Sequence, residues 1–208
     1  MSASLGTEAP TTAGGLWSLP LYRFTVDEYE RLAAAGILRD RRITLIQGYL
    51  VRKMTTNPPH VLATEETRRA IERILPAGWH VRQEQPLRIP DHDEPEPDVV
   101  IARGSPRDYA TRHPGPTEIA LVVEVADSSL MLDRGEQLAT YARAGIPVYW
   151  IINLVGGTPP GSGVVEVYTG PTPSGGYLSR TDHRRGDEVP VTLDGREIGR
   201  IPVTDMLP

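Results

Sequence analysis

Apolar and polar positions along this chain predict a helix, a hairpin and a long helix, followed by a strand-rich second half. The first periodic segment, TVDEYERLAAAGIL, places Thr25 three residues ahead of Glu28, the capping-box spacing of a helix start. Gly36 suits its C-terminal stop. ITLIQGYLVRKM predicts two short strands that turn at Gln47-Gly48. Asn57-Pro58-Pro59 then opens a longer helix, from about His60 to Leu75, which Pro76-Ala77-Gly78 ends. Its expected apolar stripe is Val61, Leu62, Ile71, Ile74 and Leu75, with arginines on the other side.

WHVRQEQPLRI alternates as a half-buried strand does, and PDVVIA is a short apolar strand behind the acidic, proline-rich approach DHDEPEPD. IALVVEV is apolar except near its end, the pattern of a central strand covered on both faces. Asp133, with Glu136 three residues on, is expected to cap a helix that Gly145 closes. VYWIINL follows as another buried strand, so a right-handed crossover should pair it in parallel with IALVVEV. VVEVYTG, GYLSRTD and EVPVTLDG are expected as peripheral antiparallel hairpins. These elements predict one α/β domain over residues 21–208, with a central mixed sheet, behind a flexible tail of residues 1–20.

Composition narrows the chemistry. At 208 residues the chain can bury one good core, and without cysteine it can form no disulfide, thiolate nucleophile or Cys-ligated zinc site. No apolar run is long enough to cross a bilayer, and the N-terminus has neither a basic start nor an apolar core. A cytoplasmic protein without membrane association is the expectation. The net charge of −5 speaks against broad phosphate binding, and the clusters Arg39/Arg41/Arg42, Arg68/Arg69/Arg73 and Arg184/Arg185 fit solvated faces. Of the 22 basic residues, only Lys53 is a lysine.

Two carboxylates stand out by position. Asp98 begins PDVVIA and Glu124 lies near the end of IALVVEV, in the most apolar part of the chain. Carboxylates at the ends of adjacent buried strands repel one another unless a cation lies between them, and hard oxygen ligands suit Mg²⁺ or Mn²⁺. Spacing alone favours the plainer arrangement, in which Glu124 pairs with an arginine and Asp98 caps a turn. Asp127, Asp133 and Glu136 fit turn and helix-start roles, Glu94 and Glu96 a solvated loop, and Tyr141, Tyr149 and Trp150 the core.

EPEPDVVIA and LVVEVADSSLMLDRGEQLATYARAGIPVYWIINL, together with TVDEYERLAAAGIL and His60, closely resemble the Uma-type putative restriction endonuclease family of the PD-(D/E)XK nuclease superfamily. The similarity runs from about Phe24 to the C-terminus. It implies a restriction-endonuclease-like sheet flanked by helices, with Asp98 and Glu124 as metal ligands. It places Gln137 at the position of the family's lysine and His60 as an assisting residue. It further implies DNA as substrate and a possible homodimer. The superfamily's more usual lysine position would fall at Ala126. The family's acidic hairpin is replaced by Thr44-Leu45-Ile46-Gln47-Gly48-Tyr49, and its glutamate before Tyr-Trp by Val148. A neutral amide at Gln137 cannot act as a cation or a general base, so the expectation is a nuclease with a degenerate site. The alternative is an inactive nuclease-fold module for binding or assembly.

Overall fold

The computed structural model describes residues 20–208 except 41, 54 and 160. The expected tail lies, apart from Pro20, outside the described residues. Helix α1 (Val26–Ala34) starts as its sequence predicts: Thr25 and Glu28 form a reciprocal capping box. Strands β1 (Ile43–Ile46) and β2 (Tyr49–Arg52) pair as a hairpin, with Gln47 and Gly48 at positive φ in its turn. Gly48 also donates to the His92 carbonyl and accepts from the Phe24 amide, fastening the turn to both neighbouring segments. A Cβ at Gly48 would stand 2.7 Å from that of Arg23, at a φ of +80°. We therefore expect Gly48→Ala to cost about 1–3 kcal/mol, read as a lower urea midpoint with unchanged slope.

Helix α2 (Pro58–Ile74) starts at the predicted prolines, with Asn57 as its N-cap accepting from the His60 amide. Its buried face is Ala63, Thr64, Thr67, Ala70 and Ile71, whereas Val61 and Leu62 are exposed. The expected stripe is thus wrong in its first turn, where Val61 and Leu62 face outward. The arginines do lie outward, where Arg68 and Arg69 pair with Glu65, Glu66 and Glu72.

The central sheet has the order β3-β4-β5-β6-β7-β8, formed by Trp79–Gln83, Val99–Arg103, Ile119–Ala126, Val148–Asn153, Val164–Thr172 and Gly176–His183. β5 and β6 are parallel, as the crossover predicts, and the other neighbours are antiparallel. The sheet is therefore mixed. β7 and β8 extend this sheet rather than forming a separate hairpin, while β9 (Glu188–Leu193) and β10 (Arg196–Pro202) make a two-stranded sheet of their own. The strand predicted over WHVRQEQPLRI stops at Gln83, where Glu84 takes positive φ and Pro86 can donate no ladder bond.

Alternation sends Ile101, Val123, Trp150 and Val165 to one face, where α2 and the β9–β10 pair cover them. Val100, Val122, Tyr149 and Ile151 face the other way, against the helix that links β5 to β6. Glu94 corrects a second expectation. It is buried rather than loop-exposed, because its amide donates to the Leu45 carbonyl and its own carbonyl accepts from Thr44. Burial, with Glu30 beside it, pushes its carboxyl up to about 8. No described helix is long and apolar enough to cross a membrane.

Candidate active site

The register of β4 against β5 brings the two singled-out carboxylates together. Val99 pairs with Val123, so Asp98 and Glu124 stand opposite each other one step beyond. The Asp98 amide lies 3.4 Å from Glu124 Oε2, and Asp98 Oδ2 accepts from the Val125 amide at 2.7 Å. Both side chains are buried at the mouth of a cavity of about 130 Å³, which His60, Gln137, Asp133, Lys53, Glu84 and Glu96 also line.

Each wall of this cavity comes from an element already explained. α2 brings His60 at its first turn, where Nε2 lies 3.3 Å from Asp98 Oδ2. Burial works against charge on the ring, but the hydrogen bond and the negative charge of Asp98 outweigh it, so the His60 pKa is raised. Asn57 donates to Asp127 and so ties the start of α2 to the end of β5. Gln47, at the hairpin turn, similarly donates to Glu136.

The opposite wall is the β5–β6 crossover helix, α3, which has three parts: an α-helical turn Leu130–Leu132, a π-helical stretch Asp133–Gln137 and an α-helix Leu138–Arg143. Asp133 is not its cap. It lies inside the helix, buried, with its carboxylate accepting from Ser129 Oγ at 2.5 Å. In a regular α-helix, residues eight apart differ in direction by about 80°. The wider π turns reduce that angle, and Asp133, Gln137 and Tyr141 all turn toward the cavity side of the sheet. Gln137 Nε2 donates to Glu124 Oε1 at 3.3 Å, and the Tyr141 hydroxyl donates to the same oxygen at 2.7 Å.

These contacts leave negative charge poorly compensated. Burial first, then the nearby Asp98 and Asp133 charges, raise the Glu124 pKa well above the usual carboxylate range. Burial likewise takes Asp133 up to about 7, and it keeps the Tyr141 phenol neutral. Gln137 is only 8 % exposed, and its Oε1 has no hydrogen-bond partner. The donor set is therefore hard oxygen: two facing carboxylates, a third nearby and an orphaned amide carbonyl. It fits a small divalent cation that keeps much of its water, such as Mg²⁺ or Mn²⁺. Among the described residues no group of three or more acidic or histidine side chains is arranged to hold a metal ion by itself.

The cavity thus assembles all four residues singled out in the sequence: Asp98, Glu124, Gln137 and His60. It also holds Asp133, expected only at a helix start, and Lys53, the single lysine and so the one lysine that could replace the family's, and Tyr141 reaches Glu124 from the core. The four-residue steps from Asp133 to Gln137 to Tyr141 are the signal of their shared helical face. Ala126 is fully buried, with no opening for a long cation. Thr44, Gln47 and Tyr49 supply no carboxylate.

The profile of the Uma2 family, described as putative restriction endonuclease, matches residues 26–203 of this chain. No curated protein matches it. Among solved structures, a putative nuclease belonging to DUF820 from Anabaena variabilis ATCC 29413 is similar in fold, with a TM-score of 0.63 at 15% identity. That likeness covers 88% of this chain and 97% of the other.

Proposed function

The chain belongs to the Uma2 family of putative restriction endonucleases, and on that premise we propose that it is a Mg²⁺- or Mn²⁺-dependent endonuclease hydrolysing phosphodiester bonds in DNA. The observation that carries this reading is the buried Asp98–Glu124 pair, brought face to face by adjoining strands at an open cavity.

In this reading Asp98 and Glu124 hold the ion. Bound there, it would supply a more acidic attacking water and neutralise charge building on a phosphoryl oxygen. Gln137 keeps Glu124 oriented through its amide N–H and offers its orphaned carbonyl to water. Tyr141 fixes the same carboxylate from the core side. His60 holds Asp98 Oδ2 in place through Nε2, and that contact raises its pKa against the effect of burial. The site is degenerate relative to its family, with glutamine at position 137 and no hairpin acids. The proposal extends to residues 21–208 working as one unit, in the cytoplasm, with two copies pairing to cut both strands.

A second reading, a nuclease fold retained for binding or assembly, is favoured by the neutral amide at Gln137. Nicking of supercoiled plasmid separates the two. The wild type is expected to nick with Mn²⁺ and stop with EDTA, and Gln137→Lys to nick about 10-fold faster. A wild type that retains DNA but nicks it with neither Mg²⁺ nor Mn²⁺ would leave the binding module as the correct reading.

A further inference from the structure

We propose that Lys53, at the end of β2, is the phosphate-contacting cation of this site, taking over from the hairpin wall the charge that Gln137 cannot provide. This rests on the nuclease reading for its substrate but on different residues for its argument.

Position comes first. β2 belongs to a two-stranded hairpin whose exposure alternates, and both residues at its end line the cavity: Arg52, largely exposed and paired with Asp40, and Lys53, half-buried. The Lys53 amide donates to the Arg42 carbonyl at 2.7 Å, which fixes the backbone at this point. Its ammonium donates to the Glu96 carbonyl at 3.1 Å and meets Glu96 Oε2 at 3.3 Å. Its side chain keeps 28% of its surface accessible, so it is anchored without being sealed off.

Charge comes second. The cavity gathers Asp98, Glu124, Asp133, Glu84 and Glu96, and a phosphodiester cannot approach such a wall without a cation facing it. Of the other basic side chains lining the cavity, His60 is committed to Asp98, and Arg52 pairs with Asp40. Lys53 lines the same cavity as Glu124 and Gln137. A single ammonium on a flexible stem suits a phosphate oxygen, since three donors can reorient while Glu96 holds the chain in place. A purely structural ion pair with Glu96 would account for the 3.3 Å contact, but it would not make DNA affinity depend on Lys53.

The test therefore reads binding as well as cleavage. A short fluorescein-labelled DNA duplex is titrated with the full chain in Ca²⁺ over a range of KCl concentrations, for wild type, Lys53→Met and Lys53→Arg. Lys53→Met should lower the slope of log affinity against log salt by about 1, and Lys53→Arg should restore it. In plasmid nicking with Mn²⁺, Lys53→Met should lose about 10²-fold, and adding Gln137→Lys to it should recover most of that loss. An unchanged salt slope in Lys53→Met overturns the inference whatever happens to cleavage. A lowered slope in a protein that never nicks DNA upholds Lys53 as the phosphate contact and removes the nuclease reading instead.

Discussion

Glu124→Gln is expected to lower Mn²⁺-supported nicking by more than about 10²-fold while making the metal-free protein harder to unfold. Removing a residue that merely supports a metal ligand typically costs 10–100-fold, so removing a ligand itself should cost more. The gain in stability has the opposite origin. Glu124 is buried, faces two other carboxylates and has its pKa driven well above the ordinary value, so folding near neutral pH must retain a proton there or confine a charge. Glutamine keeps the shape and the acceptor for Tyr141 without that cost, so the thermal midpoint of the metal-free protein should rise at pH 8. Calorimetric Mn²⁺ titration, nicking and thermal unfolding with EDTA check the three parts together. A variant that nicks within a few-fold of wild type would sink the assignment of Glu124 as a ligand.

The metal-free protein should also lose stability as pH rises from about 5 to 8, on the order of 5 kcal/mol in sum. The sign follows from which state holds more protons. Asp133 is pushed up to about 7, Glu94 to about 8 and Glu124 well above its ordinary value, each chiefly by burial. The folded chain keeps protons that the unfolded chain releases, so their contribution is complete below the unfolded values and fades as pH climbs through the folded ones. His60, raised by Asp98 against the effect of burial, adds to the same trend. Carboxylates held low act in a different window: Glu118, held near 2 chiefly by Arg112, loses its contribution only as pH falls below the usual carboxylate range. Mn²⁺ should flatten the slope, because it competes with the proton that burial retains on Glu124. Glu94→Gln should remove a share that the metal cannot. Urea midpoints at pH 5 and pH 8, with EDTA and with Mn²⁺, decide the matter; greater metal-free stability at pH 8 would contradict the burial argument.

Much of this architecture is legible in the residues. The capping box at Thr25, the prolines ahead of α2 and the long apolar runs of β5 and β6 each encode a local choice that the packing reinforces. The Asp98–Glu124 pair was legible because charge at the end of an apolar strand is rare enough to need a reason. What local pattern could not convey depends on where elements meet. Val61 and Leu62 have helical periodicity, yet both stay exposed. Glu94 lies in an acidic, proline-rich stretch, and only the pairing with Leu45, across some fifty residues of chain, buries it. Lys53 stood out as the lone lysine able to replace the family's, but its place in the cavity depends on how a small hairpin docks.

The π-helical stretch in α3 carries a consequence for how this chain can vary. Asp133 and Tyr141 face the same way only because one surplus residue is absorbed between them, and each residue of an α-helix advances the direction by about 100°. Inserting a further residue beside Gly135 would leave the helix continuous yet swing one end out of phase with the other, whereas deleting Gly135 removes the surplus and leaves Asp133 and Tyr141 at a seven-residue α-helical spacing, about 20° apart. The segment is thus a phasing element, more sensitive to lengthening than to shortening, that fixes which groups look at Glu124.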